Sequence, residues 1–162
     1  MPAPVRILFL CTGNSARSIL AEAICRARGG DRVVVHSAGS QPRGEVHPLA
    51  LAILRERGVP TEGLASKSWD VFTGPEAPAF DLVVTVCDAA AAESCPAFPG
   101  ACHRVHWSLP DPAAVAGGET EMRAAFERVA DELERRIPAL LAELAATSGP
   151  DSDGEPADPS EP

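Results

Sequence analysis

The sequence predicts an α/β fold in which helices cover both faces of an open, four-stranded parallel sheet. Short apolar runs alternate with stretches that have helical periodicity. Two of these runs, residues 5–10 and 82–86, are apolar except for Arg6 and Thr85 and do not alternate with polar residues, as expected of strands buried on both faces of a parallel sheet. Glycines end the run 32–39 and follow the first two helical stretches, where they are typical terminators.

The individual elements follow from these patterns. Apolar runs predict strands at residues 5–10, 32–39, 82–86 and 105–107. Helical periodicity predicts helices over residues 18–28, 47–57 and 68–72, and a long helix from about residue 119 that Pro138 should kink or restart. The carboxyl ends of parallel strands meet at one edge of a sheet, and ligands bind there. We therefore expect the residues that follow each strand to lie close together.

Length and charge limit the classes of function. The 162 residues suffice for one domain with a sizeable core, which we assign to residues 1–146. Residues 147–162 are acidic and rich in proline, and we expect them to form a disordered tail. This tail holds five of the nine excess negative charges, so the domain is only mildly acidic and nucleic-acid binding is not expected. Because no membrane segment or signal peptide is visible, we expect a cytoplasmic protein.

The segment between the first strand and the first helix carries the strongest functional signal. It reads Cys11, Thr12, Gly13, Asn14, Ser15, Ala16, Arg17, Ser18. Backbone N–H groups of such a loop converge on an oxyanion, which Arg17 can also bind bidentately. The same groups favour a thiolate, so we expect the pKa of Cys11 to fall. Ser18 is either a hydroxyl donor to the Cys11 sulfur or an ordinary residue of the first helical turn.

Two further cysteines and an acid follow later strands. Cys87 comes directly after strand 82–86, so it should neighbour Cys11. Cys95 lies beyond four alanines that favour a helix, and that helix would hold the two sulfurs about 12 Å apart. A disulfide needs Cα atoms within about 7 Å, so the pair is either a switch that unfolds this helix or two unrelated cysteines. Asp111 can be a helix N-cap, a general acid, or both.

Together these segments resemble a known family. In order, CTGNSARS, VTVCDAAAAESCP and HWSLPDPA look like arsenate reductases of the low-molecular-weight tyrosine phosphatase superfamily, the thioredoxin-coupled type and its relatives. The resemblance runs from about Val5 to Leu144 and implies arsenate reduction in arsenic detoxification, with no tightly bound redox cofactor. The implied roles are Cys11 as nucleophile, residues 12–16 with Arg17 as oxyanion ligands, Ser18 as thiolate partner, Asp111 as acid, and Cys87 and Cys95 as relay thiols.

The resemblance also implies partners and one ion. Arsenate would bind as a phosphate mimic, and phosphate or sulfate would compete for the same loop. The spacing from Cys87 to Cys95 is one residue longer than in the best-known thioredoxin-linked members, so thioredoxin, a glutaredoxin and a low-molecular-weight thiol all stay open as reductant. Ala16 replaces a loop cysteine that some members carry. A potassium ion behind the loop would be held by Asn14, Glu22, Ser68 and Asp70.

Two other functions remain as alternatives. A phosphatase acting through a phosphocysteine needs Cys11, Arg17 and Asp111 but neither relay thiol. A protein that binds a metalloid or zinc without catalysis needs only the thiols. The zinc candidates are Cys95, Cys102, His103 and His106, whose spacing matches no strong ligand pattern. Structural roles are expected for Cys25, His36 and His47, and Trp69 and Trp107 are expected in the core or at the rim of the pocket.

Overall fold

Four parallel strands form one sheet in the order β2-β1-β3-β4. The protein is described by a computed structural model that covers residues 3–74, 76–88 and 103–147. The strands are β1 (Val5–Cys11), β2 (Val33–Gly39), β3 (Leu82–Thr85) and β4 (His103–His106). The predicted fold class is confirmed. Because β1 lies between β2 and β3, its carboxyl end is flanked by the ends of both neighbours.

The described residues contain three α-helices with defined bounds and three short 3-10 helices, which lie between or after the strands. The α-helices are α1 (Arg17–Gly29), α2 (Pro48–Glu56) and α3 (Glu119–Thr147), and the 3-10 helices are Gly30–Arg32, Trp69–Phe72 and Pro112–Ala114. No helix in the described ranges is both long and apolar enough to span a membrane. Helix α3 ends at the first residue of the predicted tail, and residues 148–162 lie outside the described part of the chain.

Helix α3 differs from its prediction at Pro138. The sequence predicts a kink or a restart there, whereas the helix runs without interruption from Glu119 to Thr147. Beyond the proline, Leu140 and Leu141 are buried in the same core as Ile137. Burial of this apolar stripe offsets the loss of one backbone hydrogen bond at the proline, so the helix continues.

The core lies on both faces of β1, because successive side chains of a strand point to opposite sides. Ile7 and Phe9 pack in the larger cluster, which contains the buried faces of α1, α2 and α3 and includes Trp107. Leu8 and Leu10 pack in a smaller cluster on the other face. That second cluster is closed by Phe72 and Phe80, with Trp69 packed against it. All four β1 side chains are fully buried, which accounts for the uninterrupted apolar run.

Strand β4 starts earlier than predicted. The sequence places the strand at residues 105–107, but pairing with β3 runs from His103 to His106, and Trp107 adds one further backbone hydrogen bond to Thr85. This strand lies at the edge of the sheet and is largely exposed. Its polar residues therefore pair through the backbone without producing an apolar pattern that a sequence reading could detect.

Gly39 allows the end of β2 to approach the loop after β1, and we predict that Gly39→Ala destabilises the fold. A Cβ at this position would lie 2.4 Å from the Thr12 carbonyl oxygen and 2.8 Å from that of Cys11. Both are backbone atoms, so relief requires moving the strand end, and we expect a loss of about 1–3 kcal/mol in the free energy of unfolding. Gly74→Ala is the matched control, because a Cβ there meets nothing within 4 Å. Urea denaturation compares the two variants, and equal stability would contradict the close approach.

Candidate active site

The loop from Thr12 to Ala16 is held open by a second segment, residues 41–47, that follows β2. Backbone N–H groups of Gln41, Arg43 and His47 donate to the carbonyl oxygens of Thr12, Gly13 and Ser15 at 2.9, 3.0 and 2.9 Å. In a planar trans peptide the N–H points opposite to the carbonyl. The loop N–H groups of the same peptides therefore face away from this segment, toward the space in front of Cys11.

Asn14 fixes the shape of the loop from behind. Its backbone has a left-handed φ of 46°, and its own N–H donates to Cys11 Sγ at 3.3 Å. The side-chain amide donates to Ser18 Oγ at 2.8 Å and to Ser37 Oγ at 3.0 Å, while its oxygen accepts from the Lys67 N–H at 2.8 Å. Asn14 is fully buried, so these hydrogen bonds satisfy an amide that would otherwise be costly to bury.

Cys11 lies at the base of the loop in contact with two other polar side chains. Ser18 Oγ donates to Cys11 Sγ at 3.3 Å, and the Cys87 thiol lies close enough to Cys11 to affect its pKa. Thr12 Oγ1 lies 3.6 Å from Cys87 Sγ. Both cysteines are buried. The carboxyl ends of β1 and β3 thus bring together two thiols that are 76 residues apart in sequence.

The pKa of Cys11 runs opposite to the sequence expectation. The hydrogen bond with Cys87 and then burial raise the pKa of the Cys11 thiol well above its ordinary value, whereas the Ser18 hydroxyl lowers it. The prediction of a lowered pKa counted the helix N-terminus and Arg17 but neither burial nor the second thiol. Because a thiolate is costly when it is buried beside a second thiol, Cys11 favours its protonated form.

Removing the second thiol should therefore lower the pKa of Cys11. In Cys87→Ala the largest cause of the upward shift is gone, while the Ser18 donor remains. The thiolate of Cys11 should then form at lower pH than in the unmodified protein. The ultraviolet absorbance of the thiolate, followed against pH, measures the pKa of Cys11. Subtracting the absorbance of the protein that also carries Cys11→Ser, with and without Cys87→Ala, removes the signal of the other cysteines. An unchanged or higher midpoint would contradict the coupling of the two thiols.

Arg17 and Asp111 close the site from the opposite side. Arg17 Nη1 donates to the Leu109 carbonyl oxygen at 3.0 Å, and Arg17 Nη2 lies 3.8 Å from Asp111 Oδ2. The other oxygen of Asp111 accepts from the Ala113 N–H at 3.0 Å, so this residue caps the 3-10 helix Pro112–Ala114. The two roles open for Asp111 are compatible, because capping occupies one carboxylate oxygen and leaves the other facing Arg17.

These groups surround a cleft of about 450 Å³. It is lined by Cys11, Thr12, Gly13, Ser15, Ala16, Arg17, Gln41, Arg43, Asp111 and Ala113. The cleft combines inward N–H groups, one buried thiol and the Arg17 guanidinium with an acid at its rim, which is an arrangement suited to a tetrahedral oxyanion. Gln41 and Arg43 are lining residues that sequence reasoning missed.

Comparisons with known proteins agree with this geometry. A family model described as low molecular weight phosphotyrosine protein phosphatase matches residues 6–149. The chain belongs to this family. Similar curated proteins include arsenate reductases from Halalkalibacterium halodurans and Bacillus subtilis, which are 43% and 39% identical to this chain over 131 residues. The matched residues are 81% of this chain and 91% of each relative.

Solved structures give the same picture of the family. A thioredoxin-dependent arsenate reductase from Corynebacterium glutamicum matches with a TM-score of 0.68 and 31% identity, over 91% of this chain and 66% of that chain. An arsenate reductase from Archaeoglobus fulgidus matches with a TM-score of 0.65 and 29% identity, over 84% of this chain and 98% of that chain. The resemblance inferred from the sequence motifs is thereby confirmed.

The residues proposed for a potassium ion do not fit one. Glu22 accepts from Ser37 Oγ at 2.5 Å and pairs with Arg26, and the Asn14 oxygen is already bonded to the Lys67 N–H. Ser68 Oγ accepts from the Asp70 N–H as a helix cap. The cationic side chains of Arg26 and Lys67 thus already provide positive charge near Glu22.

The remaining candidates have structural partners or lie outside the described residues. Cys95 and Cys102 belong to the latter group. Among the described residues no cluster of three or more histidine, cysteine or acidic side chains could hold a metal. His106 bonds to Thr85 and Asp88 at 2.7 and 2.8 Å. Burial raises the pKa of Cys25 to about 12, so this thiol stays protonated as a core residue.

His47 and His36 both have structural partners. His47 Nδ1 accepts from the Leu49 N–H at 3.1 Å and caps α2, and the imidazole packs on Phe126 with ring centres 4.7 Å apart. His36 packs between Phe72 and Phe80, with ring centres at 5.2 and 5.8 Å. Burial lowers the pKa of both histidines, so both favour the neutral imidazole. The structural roles expected for them agree with these contacts.

Proposed function

We propose that this protein reduces arsenate to arsenite through a relay of thiols. The observation that carries the proposal is the contact between Cys11 and Cys87 at the base of an oxyanion cleft. Hydrolysis of a phosphate ester needs one nucleophilic thiol, whereas reduction of a bound anion by two electrons needs a second thiol within reach of the first. The names of the curated relatives support the same chemistry.

The first step joins the Cys11 sulfur to arsenic. Arsenate binds against the loop N–H groups and Arg17, and the Asp111 carboxylate takes up the proton of the Cys11 thiol. The sulfur then attacks arsenic, an As–O bond breaks, and the oxygen leaves as water with Asp111 acting as proton donor. Arsenic stays in its pentavalent state in this step, because substitution transfers no net electrons.

The second step is the reduction. Cys87 attacks the Cys11 sulfur, an S–S bond forms, and the S–As bond breaks with its electron pair going to arsenic. Arsenic becomes trivalent, takes up the Cys87 proton on oxygen and leaves as arsenite. The two cysteines are oxidised together by two electrons, which balances the change at arsenic.

The third step frees the nucleophile. Cys95 attacks Cys87, so that a Cys87–Cys95 disulfide forms as the Cys11–Cys87 bond breaks, and the proton of Cys95 passes to the Cys11 sulfur. An external dithiol then reduces that disulfide, and we propose thioredoxin for this role because one solved relative is described as thioredoxin-dependent. We place the cycle in the cytoplasm, where such thiols are kept reduced.

The experiment that tests the proposed function is a coupled assay. Arsenate-dependent NADPH oxidation is followed with thioredoxin and thioredoxin reductase, beside hydrolysis of an aryl phosphate by the same preparation and a zinc analysis. Steady NADPH oxidation that requires arsenate, thioredoxin and Cys11 supports the reductase. Hydrolysis of the ester without NADPH oxidation would assign a phosphatase, and bound zinc or arsenite with neither activity would assign a binding protein.

A further inference from the structure

We infer that Arg43 is a second cationic ligand for the oxyanion, one that sets affinity at the mouth of the cleft. This inference deepens the proposed function and rests on it for the identity of the substrate. Arg43 lines the cleft together with Arg17, although the two residues belong to different segments of the chain. Two guanidinium groups face one carboxylate, Asp111, so the lining groups carry one net positive charge before an anion enters.

The backbone of Arg43 is fixed to the anion loop. Its N–H donates to the Gly13 carbonyl oxygen at 3.0 Å, and Ser66 Oγ donates to the same oxygen at 3.1 Å while accepting from the Gly44 N–H. The side chain then crosses Gly13. A Cβ on Gly13 would lie 3.1 Å from Arg43 Nε and 3.5 Å from Cδ, so the glycine leaves the space that this side chain uses.

The guanidinium of Arg43 is available for an anion. Within residues 3–74, 76–88 and 103–147 it has no carboxylate partner and donates no side-chain hydrogen bond, whereas Arg17 is held by Leu109 and faces Asp111. Its charge nevertheless acts on His47, in the same segment of the chain. Burial is the largest cause of the lowered pKa of His47. The charge of Arg43 lowers this pKa further, whereas the charge of Asp111 raises it.

The position of Arg43 suits binding and release more than the chemical step. Arg17 and the loop N–H groups surround the reacting centre, while the side chain of Arg43 is exposed at the rim. A rim charge chiefly raises the rate of capture and the affinity for an anion. Arsenous acid carries no charge at neutral pH, so the same guanidinium would hold the anionic substrate without holding the reduced product.

The test compares Arg43→Ala and Arg43→Lys with Arg55→Ala. Arg55 is an exposed arginine near the far end of α2, and its replacement changes the net charge by the same amount as Arg43→Ala. Calorimetry with inorganic phosphate measures affinity without turnover, and the coupled assay measures KM and kcat for arsenate. We expect Arg43→Ala to weaken phosphate binding and raise KM by about five- to tenfold, with kcat within about twofold.

The other variants decide whether the effect is local. Arg43→Lys should keep part of the affinity, and Arg55→Ala should match the unmodified protein. A phosphate affinity within a factor of two in Arg43→Ala, an equal loss in Arg55→Ala, or an equal loss in Arg43→Lys would each overturn the inference. If the unmodified protein binds phosphate but does not reduce arsenate, the proposed function fails, while the phosphate affinities still decide the role of Arg43.

Discussion

Arg17→Lys should lower kcat/KM for arsenate by about a hundredfold or more, with all five cysteines intact. Arginine presents a planar fork that can bind two oxygens of the anion, and here one arm is anchored to the Leu109 carbonyl at 3.0 Å. A lysine provides one point charge on a flexible stem and cannot keep that anchor and a bidentate contact together. The loss should appear in kcat as well as KM, because charge builds up on the oxyanion during attack by Cys11.

The control for this variant is Arg55→Lys, the same substitution at an exposed site outside the cleft. It should retain the activity of the unmodified protein. Thermal unfolding of Arg17→Lys shows whether the fold survives, and phosphate calorimetry shows how much ground-state affinity is lost. Arsenate saturation kinetics like those of the unmodified protein in folded Arg17→Lys would remove Arg17 from the site.

Cys87→Ser and Cys95→Ser should stop the cycle at different steps. Without Cys87 the arsenic adduct on Cys11 has no internal thiol to reduce it, so no arsenite should form. Without Cys95, one arsenite should form per chain and the enzyme should then hold a Cys11–Cys87 disulfide. Both variants should therefore lose multiple turnover, but only Cys95→Ser should form one arsenite per chain. Neither a phosphatase nor a protein that only binds arsenic would show this pattern.

Peptide mapping under non-reducing conditions identifies the disulfide in each variant after a single addition of arsenate. Cys102→Ser serves as a matched control, because that cysteine has no role in the proposed relay and the variant should still turn over repeatedly. Repeated turnover of Cys95→Ser with thioredoxin as the only reductant would show that Cys95 is not the required resolving thiol.

The sheet and the anion loop could be predicted because their signals are local. The run from Ile7 to Leu10 is apolar without a break since both faces of β1 are covered, and the residues after it have the composition of an anion loop. The meeting of Cys11 and Cys87 followed from one topological rule, that parallel strands end at the same edge. No side-chain detail was needed for either prediction.

What could not be predicted depends on contacts between distant segments. Residues 41–47 bind the loop through their backbone, so no side-chain pattern marks them, although their position after Gly39 and the end of β2 could have placed them at the same edge. The pKa of Cys11 depends on burial and on Cys87. The misfit of potassium depends on Arg26 and Lys67, two cations from different elements that no local motif includes.

The most direct measurement of the central claim is a count of arsenite and thiols after one addition of arsenate to the fully reduced protein, with no external reductant present. The thiol relay predicts one arsenite per chain, a loss of two free thiols, and recovery of both thiols on adding thioredoxin with its reductase. Cys11→Ser should produce neither change. Arsenite formation that consumes no protein thiols, or no arsenite from a folded protein that binds phosphate, would contradict the thiol relay.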